Sequence, residues 1–487
     1  MKINLMVSAI TYSKIRFHNN LLLLPIFLLV LSLLYSPSSA KAQSDLPDGP
    51  IYLVQEGDTL WDIALRFGVV VEALEDLNGI TDSAQIAVGT QLVIPGLAGV
   101  QGILETQTIS YGETLRSLSR RYRLPEETLT RLNHLTSPIN IYPGTTLVIP
   151  SQGDNVSSGT RVGLRSGLSL LELAILNDTN PWEYVLANNL PGTWGALTGD
   201  VLLSPDRALD GPGALPEAIN GVSLENLPLA QGKTIVLKIS GDQGIKLSGS
   251  LDGREINFFS SADEYVALFG IHAMTEPGLY PLNVKGKLPP GPPYYGDTFT
   301  FSQSVLIRSG DYPFDPVLTV SPETIDPLVT KPEDELWESL GVTISPEKMW
   351  DGIFQNPVPD IYEDCFTSLF GSRRSYNGSP YDYFHSGLDL CGGVGTEIFA
   401  PAPGVVVFAE PLVVRGKATV IDHGWGVYTA YDHQSEIYVK PGDYVEPGQL
   451  IGLGGATGRV TGPHLHWEVW VGGIQVDPMD WLEKSFP

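Results

Sequence analysis

The residues best suited to chemistry lie in the last 103 positions of the 487-residue chain, which hold five of its eight histidines. They occur in Tyr383-Phe384-His385-Ser386-Gly387-Leu388-Asp389, Asp422-His423-Gly424, Tyr431-Asp432-His433 and Gly462-Pro463-His464-Leu465-His466-Trp467. Zinc takes imidazole nitrogens and carboxylate oxygens, and three protein ligands leave a fourth position for water, as in a catalytic rather than a structural site. In extended backbone, residues two or four apart share a face, so His385 can meet Asp389, and His464 points the same way as His466. Stretches 404–408, 418–421 and 427–431 are rich in β-formers and separated by turn residues. They predict a sheet face bearing imidazoles and one carboxylate.

In this order the segments resemble the lysostaphin and LytM family of zinc metallopeptidases, over about residues 353–484. Phe370-Gly371-Ser372-Arg373-Arg374, Ala402-Pro403-Gly404-Val405-Val406, Pro441-Gly442-Asp443-Tyr444-Val445 and Gly448-Gln449-Leu450-Ile451-Gly452 add to the likeness. The resemblance implies a mainly antiparallel β peptidase domain of the duplicated hybrid motif type at 353–487. It implies one Zn2+ held by His385, Asp389 and His466, with His433 and His464 as the catalytic pair. The implied reaction is hydrolysis of peptide cross-links in peptidoglycan by zinc-activated water, with His464 and His433 dividing the roles of general base and oxyanion stabiliser in an order that the sequence leaves open. Arg373, Arg374 and Tyr376 are candidates to line the cleft and meet substrate carboxylates, with surface or packing roles as the alternative. His423 reads as a structural hairpin residue. Asp432-His433-Gln434-Ser435 departs from the family, which often has Ala or Gly before the histidine and Leu after it. The rival reading is a non-catalytic envelope protein that binds peptidoglycan and activates other wall hydrolases; such relatives have lost zinc ligands, whereas all five positions are filled here.

An internal repeat with an offset of 55 residues places Leu60, Leu115 and Leu170 in register, together with Asn78, Asn133 and Asn188, and Pro95, Pro150 and Pro205. Copies begin Val54-Gln55-Glu56-Gly57-Asp58-Thr59-Leu60 and Ile109-Ser110-Tyr111-Gly112-Glu113-Thr114-Leu115. Each reads as strand, helix, helix, strand, with Asp58 or Thr59 capping the first helix. These signs resemble the LysM module at 51–95 and 106–150, with a degenerate third copy at 161–205. The resemblance implies a shallow groove for N-acetylglucosamine-containing glycan, bordered by Gly57, Asp58, Thr59, Leu60 and by Gly112, Glu113, Thr114, Leu115.

Alternating segments between Gly and Pro clusters predict an antiparallel β-sandwich at 217–310, and residues 311–352 read as a packed connector with a helix near 333–340. The fold class is therefore multidomain: α+β LysM modules, a β-sandwich and a β-rich peptidase domain. Residues 1–42 carry a basic start, an apolar run at 21–35 and a small-residue end, the order of a signal peptide. Its removal takes away four bases and no acids, lowering the formal charge from −26 to −30. That charge repels nucleic acid; peptidoglycan glycan and stem peptides are the partners that the two resemblances imply. The expected product is a secreted monomer of the cell envelope, periplasm or wall, without a membrane span after cleavage. In that compartment Cys365 and Cys391 can form a disulfide, whereas a Cys-only zinc site wants four thiolates.

Overall fold

The computed structural model describes residues 49–81, 86–97, 100–151, 160–165, 167–204, 211–291 and 294–487. The signal segment expected at 1–42 lies outside the described residues. Among those described, no helix is long and apolar enough to cross a membrane.

Each repeat folds as strand, helix, helix, strand. The first runs through Ile51–Leu53, Leu60–Phe67, Val71–Asn78 and Gln91–Val93; the second through Ile103–Thr108, Leu115–Tyr122, Glu126–Leu132 and Thr146–Ser151; the third through Thr160–Gly163, Leu170–Leu176, Pro181–Ala187 and Val201–Ser204. Thr59, Thr114 and Ser169 cap the first helix of each copy through their side-chain oxygens. Asp58 serves a different purpose, accepting from Gln55 N at 2.8 Å and the Tyr52 hydroxyl at 2.6 Å.

The repeated asparagine has a physical cause. Asn78 accepts from Val93 N at 2.7 Å and donates to Leu74 O and Val93 O at 2.8 Å each, tying the second helix to the last strand. Asn133 and Asn188 make the same three bonds, to Leu129 and Val148 and to Tyr184 and Leu203. Short strands alone could not fix that helix. Strand 51–53 runs parallel to strand 103–108, joining repeats one and two in one four-stranded sheet.

The middle region consists of a five-stranded and a four-stranded sheet around an apolar core that includes Leu237, Leu282 and Val305. Its pairs are antiparallel apart from Leu229–Ala230, which runs parallel to Thr298–Arg308. Strand Thr234–Gly241 is buried at four consecutive residues, Thr234 to Leu237, instead of alternating. Val236, with Val266 and Leu268 of the adjoining strand, belongs to the core of the C-terminal region, so this sheet is covered on both faces. His272 is a packed residue, accepting from Met274 N and lying edge-on to Phe384.

The C-terminal sheet orders Phe366–Ser368, Leu388–Leu390, Leu465–Val471, Val427–Gln434, Lys417–Gly424, Gly404–Pro411 and Tyr444–Val445, all antiparallel. Strand 465–471 is buried at every position. The connector covers one face of it: its helix, Pro327–Leu340, starts earlier than the sequence suggests and sets Trp337 against Phe408 and Trp470, while Leu465, Trp467, Val469 and Val471 enter the main apolar core on the other face. Cys365 and Cys391 are joined as a disulfide with Cα atoms 5.3 Å apart.

Candidate metal and catalytic site

The His385 and Asp389 side chains converge, although not along one strand. Tyr383–Phe384 pairs with Arg373–Arg374 in a separate two-stranded sheet, and Leu388–Leu390 belongs to the large sheet. Gly387 lies between them where a Cβ would stand 2.3 Å from Trp467 O, so only glycine lets the chain pass close beside the strand that carries His466. Asp389 pairs directly with His466 across the strands.

Three acceptor atoms meet at one point. His385 Nε2 and His466 Nδ1 lie 2.9 and 2.7 Å from Asp389 Oδ1 and 3.0 Å from each other. The tautomers follow from the opposite ring atoms. His385 Nδ1 donates to Leu369 O at 2.8 Å, and His466 Nε2 donates to Glu468 Oε1 at 3.1 Å. In these neutral tautomers both remaining ring nitrogens turn a lone pair to the carboxylate oxygen, an arrangement that a proton on His466 or a bound cation satisfies. His385, Asp389 and His466 are all buried. The donor set of two imidazoles and one carboxylate fits zinc with an open fourth position.

The electrostatics agree. Burial opposes charge on Asp389, yet the neighbouring imidazoles hold its carboxyl well below the usual carboxylate range. Burial likewise opposes a proton on His466, but its bonds to Asp389 and Glu468 push it up to about 10. The field at this point calls for positive charge, whether a proton or a metal ion. Asp432, His466 and Glu468 also come together, but each Glu468 oxygen already accepts two bonds: Oε1 from Ser386 and His466, Oε2 from Trp337 and Trp470. No lone pair is left for a second ion.

Two further imidazoles face the set. His464 Nδ1 donates to Gly462 O at 2.8 Å, which leaves Nε2 as an acceptor 3.5 Å from Asp389 Oδ1. His433 Nδ1 donates to Thr457 O at 2.8 Å, and its ring centroid lies 5.0 Å from that of His464. His433 has φ 63°, a left-handed conformation that costs a β-strand residue energy. It sits where the register with Lys417–Gly424 shifts, which turns its ring into the cleft. Burial, followed by the adjacent His466 and His464, holds it well below its ordinary pKa, so it rests neutral.

The cleft in front of these residues has a volume of about 360 Å³, and its lining includes Asp315, Leu318 and Val320 from the connector. That segment pairs in parallel with the wall strand, with bridges from Phe314 to Arg373 and from Leu318 to Tyr376. Of the cleft residues expected from sequence, Tyr376 and Arg374 line it. Arg374 is engaged by Ser368 and the carboxylates of Asp315 and Asp389. Arg373 turns away to Ala273 O and the Met274 sulfur, because the middle region packs behind it. Arg459 takes the open place, lining the cleft above the Tyr376 ring at 4.3 Å and donating to Thr324 O at 3.1 Å. His423 is buried, bonded to Pro403 O and the Thr429 hydroxyl, and takes no part in the site.

Residues 383–478 match Peptidase family M23, and residues 52–95 and 108–150 match the LysM domain. The chain carries an M23 peptidase domain and two LysM domains. Among curated relatives, the peptidoglycan DD-endopeptidase ShyA of Vibrio cholerae is 46% identical over 113 residues, 23% of this chain and 26% of that one. The DD-carboxypeptidase/endopeptidase Mpg of Neisseria meningitidis serogroup B is 41% identical over 95 residues, 20% and 22% of the two chains. The matched segments thus span about a quarter of these relatives. A putative M23 peptidase from Pseudomonas aeruginosa aligns at TM-score 0.40 and 26% identity, covering 53% of this chain and 96% of that one.

Sequence reasoning missed Glu468, Trp337 and Arg459. Glu468 was legible in principle, since it follows His466 by two on the same strand and shares its face. Nothing local marks Trp337, which reaches Glu468 across 131 positions. Among the expected glycan contacts, Gly57 and Thr59 are exposed and Asp58 half-buried. Leu60, at the first turn of an amphipathic helix, is only 2% exposed and faces the core of its own repeat rather than a glycan. Leu115 and Thr114 are half-buried, whereas Gly112 and Glu113 are covered by other parts of the chain.

Proposed function

We propose that this chain is an exported, zinc-dependent endopeptidase that hydrolyses D,D cross-links between peptidoglycan stem peptides while its LysM domains hold the glycan. The observation that carries this reading is the convergence of His385 Nε2, His466 Nδ1 and Asp389 Oδ1 within about 3 Å of one another. The D,D preference follows the names of the relatives ShyA and Mpg.

One Zn2+ held by His385, Asp389 and His466 would act as a Lewis acid, acidifying water and polarising the scissile carbonyl. His464, whose Nε2 is the free acceptor nearest Asp389, takes the proton of the attacking water and delivers it to the leaving amine. His433 rests neutral with its Nδ1 proton committed to Thr457 O. Its Nε2 is therefore an acceptor that orients the water, and it donates to an oxyanion only once protonated. Arg459 supplies a guanidinium for a stem-peptide carboxylate. Export suits the disulfide, the segment at 1–42 and a wall substrate.

The test is zinc content and digestion of purified peptidoglycan by the full chain. Zinc close to one per chain, with release of peptides bearing a new amine, supports the reading. Bound zinc with no bond cut in any wall type would favour a protein that binds peptidoglycan and activates other hydrolases.

A further inference from the structure

Repeats one and two share a fold, yet their grooves differ. At the position of Glu56, the second copy has Tyr111, which is 1% exposed and buried in the core of the middle two-sheet region rather than in its own repeat. Its ring meets Phe301 edge-on at 5.3 Å, and its hydroxyl donates to Leu282 O at 2.9 Å. This brings the Gly112-Glu113 turn against strand Thr298–Arg308, where Gln303 enters the groove between that turn and the one that precedes the repeat's last strand.

The Gln303 carboxamide is fully engaged there. Its Oε1 accepts from Gly112 N at 2.9 Å, and its Nε2 donates to Glu113 O at 2.9 Å and to Ile141 O at 3.3 Å. Three backbone groups of repeat two thus read one amide: a single N–H for its carbonyl and two carbonyls for its N–H atoms. A sugar acetamido group offers the same carbonyl acceptor and one of those N–H donors. The segment at 211–215 closes the other side. Ala214 N donates to Gly112 O at 2.9 Å, and Gly213 N donates to Glu113 Oε1 at 3.2 Å. Gly112 has φ 98°, and a Cβ there would stand 2.4 Å from Pro212. In repeat one, Gly57 and Thr59 of the equivalent turn are exposed, and a Cβ on Gly57 would meet nothing within 4 Å.

We propose that Gln303 is an internal surrogate for an acetamido group, so that the middle two-sheet region and N-acetylated glycan compete for the groove of repeat two. The proposal rests on the reading of the repeats as glycan binders and goes beyond it. Repeat one engages glycan first, and repeat two follows only when Tyr111 and Gln303 withdraw. Two sites linked on one chain bind a polymer more tightly than one, so undocking converts weak attachment into avid attachment.

The test is a calorimetric titration of the full chain with a soluble N-acetylglucosamine tetramer, comparing wild type with the double variant Tyr111→Ala/Gln303→Ala. Both changed side chains lie outside the repeat's own apolar core. The expected result is one additional site per chain in the variant, or binding at least tenfold tighter. Hydrogen exchange on the wild type gives a second reading: saturating tetramer should raise exchange in strands 278–287 and 298–308, whose face repeat two covers. If wild type binds tetramer but the variant gains no site or affinity, and those strands stay protected, the competition is overturned while glycan binding by repeat one stands. If neither protein binds tetramer, the glycan reading and the competition fall together.

Discussion

His466 Nε2 lies 3.1 Å from Glu468 Oε1, two residues further along the same buried strand. This contact fixes which ring nitrogen of His466 points at Asp389. Burial opposes charge on Glu468, but the bond and charge of His466, the Arg415 charge and the Ser386 bond hold it down at about 2, so it stays ionised. Replacing it by Gln removes the charge that orients His466 and sets an amide N–H against either the two indole N–H groups or the His466 ring N–H. Zinc affinity should fall about 10- to 100-fold, with the fold retained. Competition with a chelator of known affinity reads this directly; unchanged affinity would remove Glu468 from the site.

His423 gives a pH prediction independent of metal. Complete burial, only partly offset by its bond to Pro403 O, pushes it down to about 4. The unfolded chain binds this proton below about 6.5, so the folded form loses stability as pH falls from about 6.5 to 4 and has all of it above that window. The pKa difference corresponds to roughly 3 kcal/mol. Denaturant titrations of wild type and His423→Gln should differ in the pH slope across that window. Parallel slopes would contradict a neutral buried imidazole.

The asparagine of each repeat is a structural clasp rather than a glycan contact. Asn188→Ala removes three bonds to Tyr184 and Leu203 and leaves backbone groups of a short strand unpaired. The third repeat should lose about 1–3 kcal/mol of local stability. Faster hydrogen exchange confined to 160–204, with zinc content unchanged, is the expected signature.

The sequence reveals what the chemistry itself dictates. The residue types that zinc takes are so few that His385, Asp389 and His466 stand out, with His433 and His464 in the same histidine-rich segments, and a 55-residue offset exposes the repeats. It is silent where distant segments decide. Trp337 reaches Glu468 from the connector, Gln303 reaches Gly112 across 191 positions, and the left-handed turn at His433 depends on a register shift with a neighbouring strand. Arg373 looked like a cleft residue because its motif adjoins one, but the middle region that draws it away has no local mark in the sequence.

The proposed role of Arg459, binding a stem-peptide carboxylate without taking part in the chemistry, is testable by substitution. Arg459→Met should raise KM about tenfold or more for a cross-linked stem peptide with a free carboxylate and leave kcat within about twofold, since a charge-assisted bond contributes roughly 1.5–3 kcal/mol. With the amidated peptide the two proteins should match. An equal loss on both peptides would show that Arg459 only supports the wall through Tyr376 and Thr324.

The most direct measurement compares wild type, His464→Ala and Asp389→Ala in full-length form, each assayed for bound zinc and for peptides released from purified peptidoglycan. Wild type should hold about one zinc and cut; His464→Ala should hold zinc and lose activity by a factor of at least about 10²; Asp389→Ala should lose both. Full activity in zinc-free wild type, or in His464→Ala, would contradict a zinc peptidase built on this site.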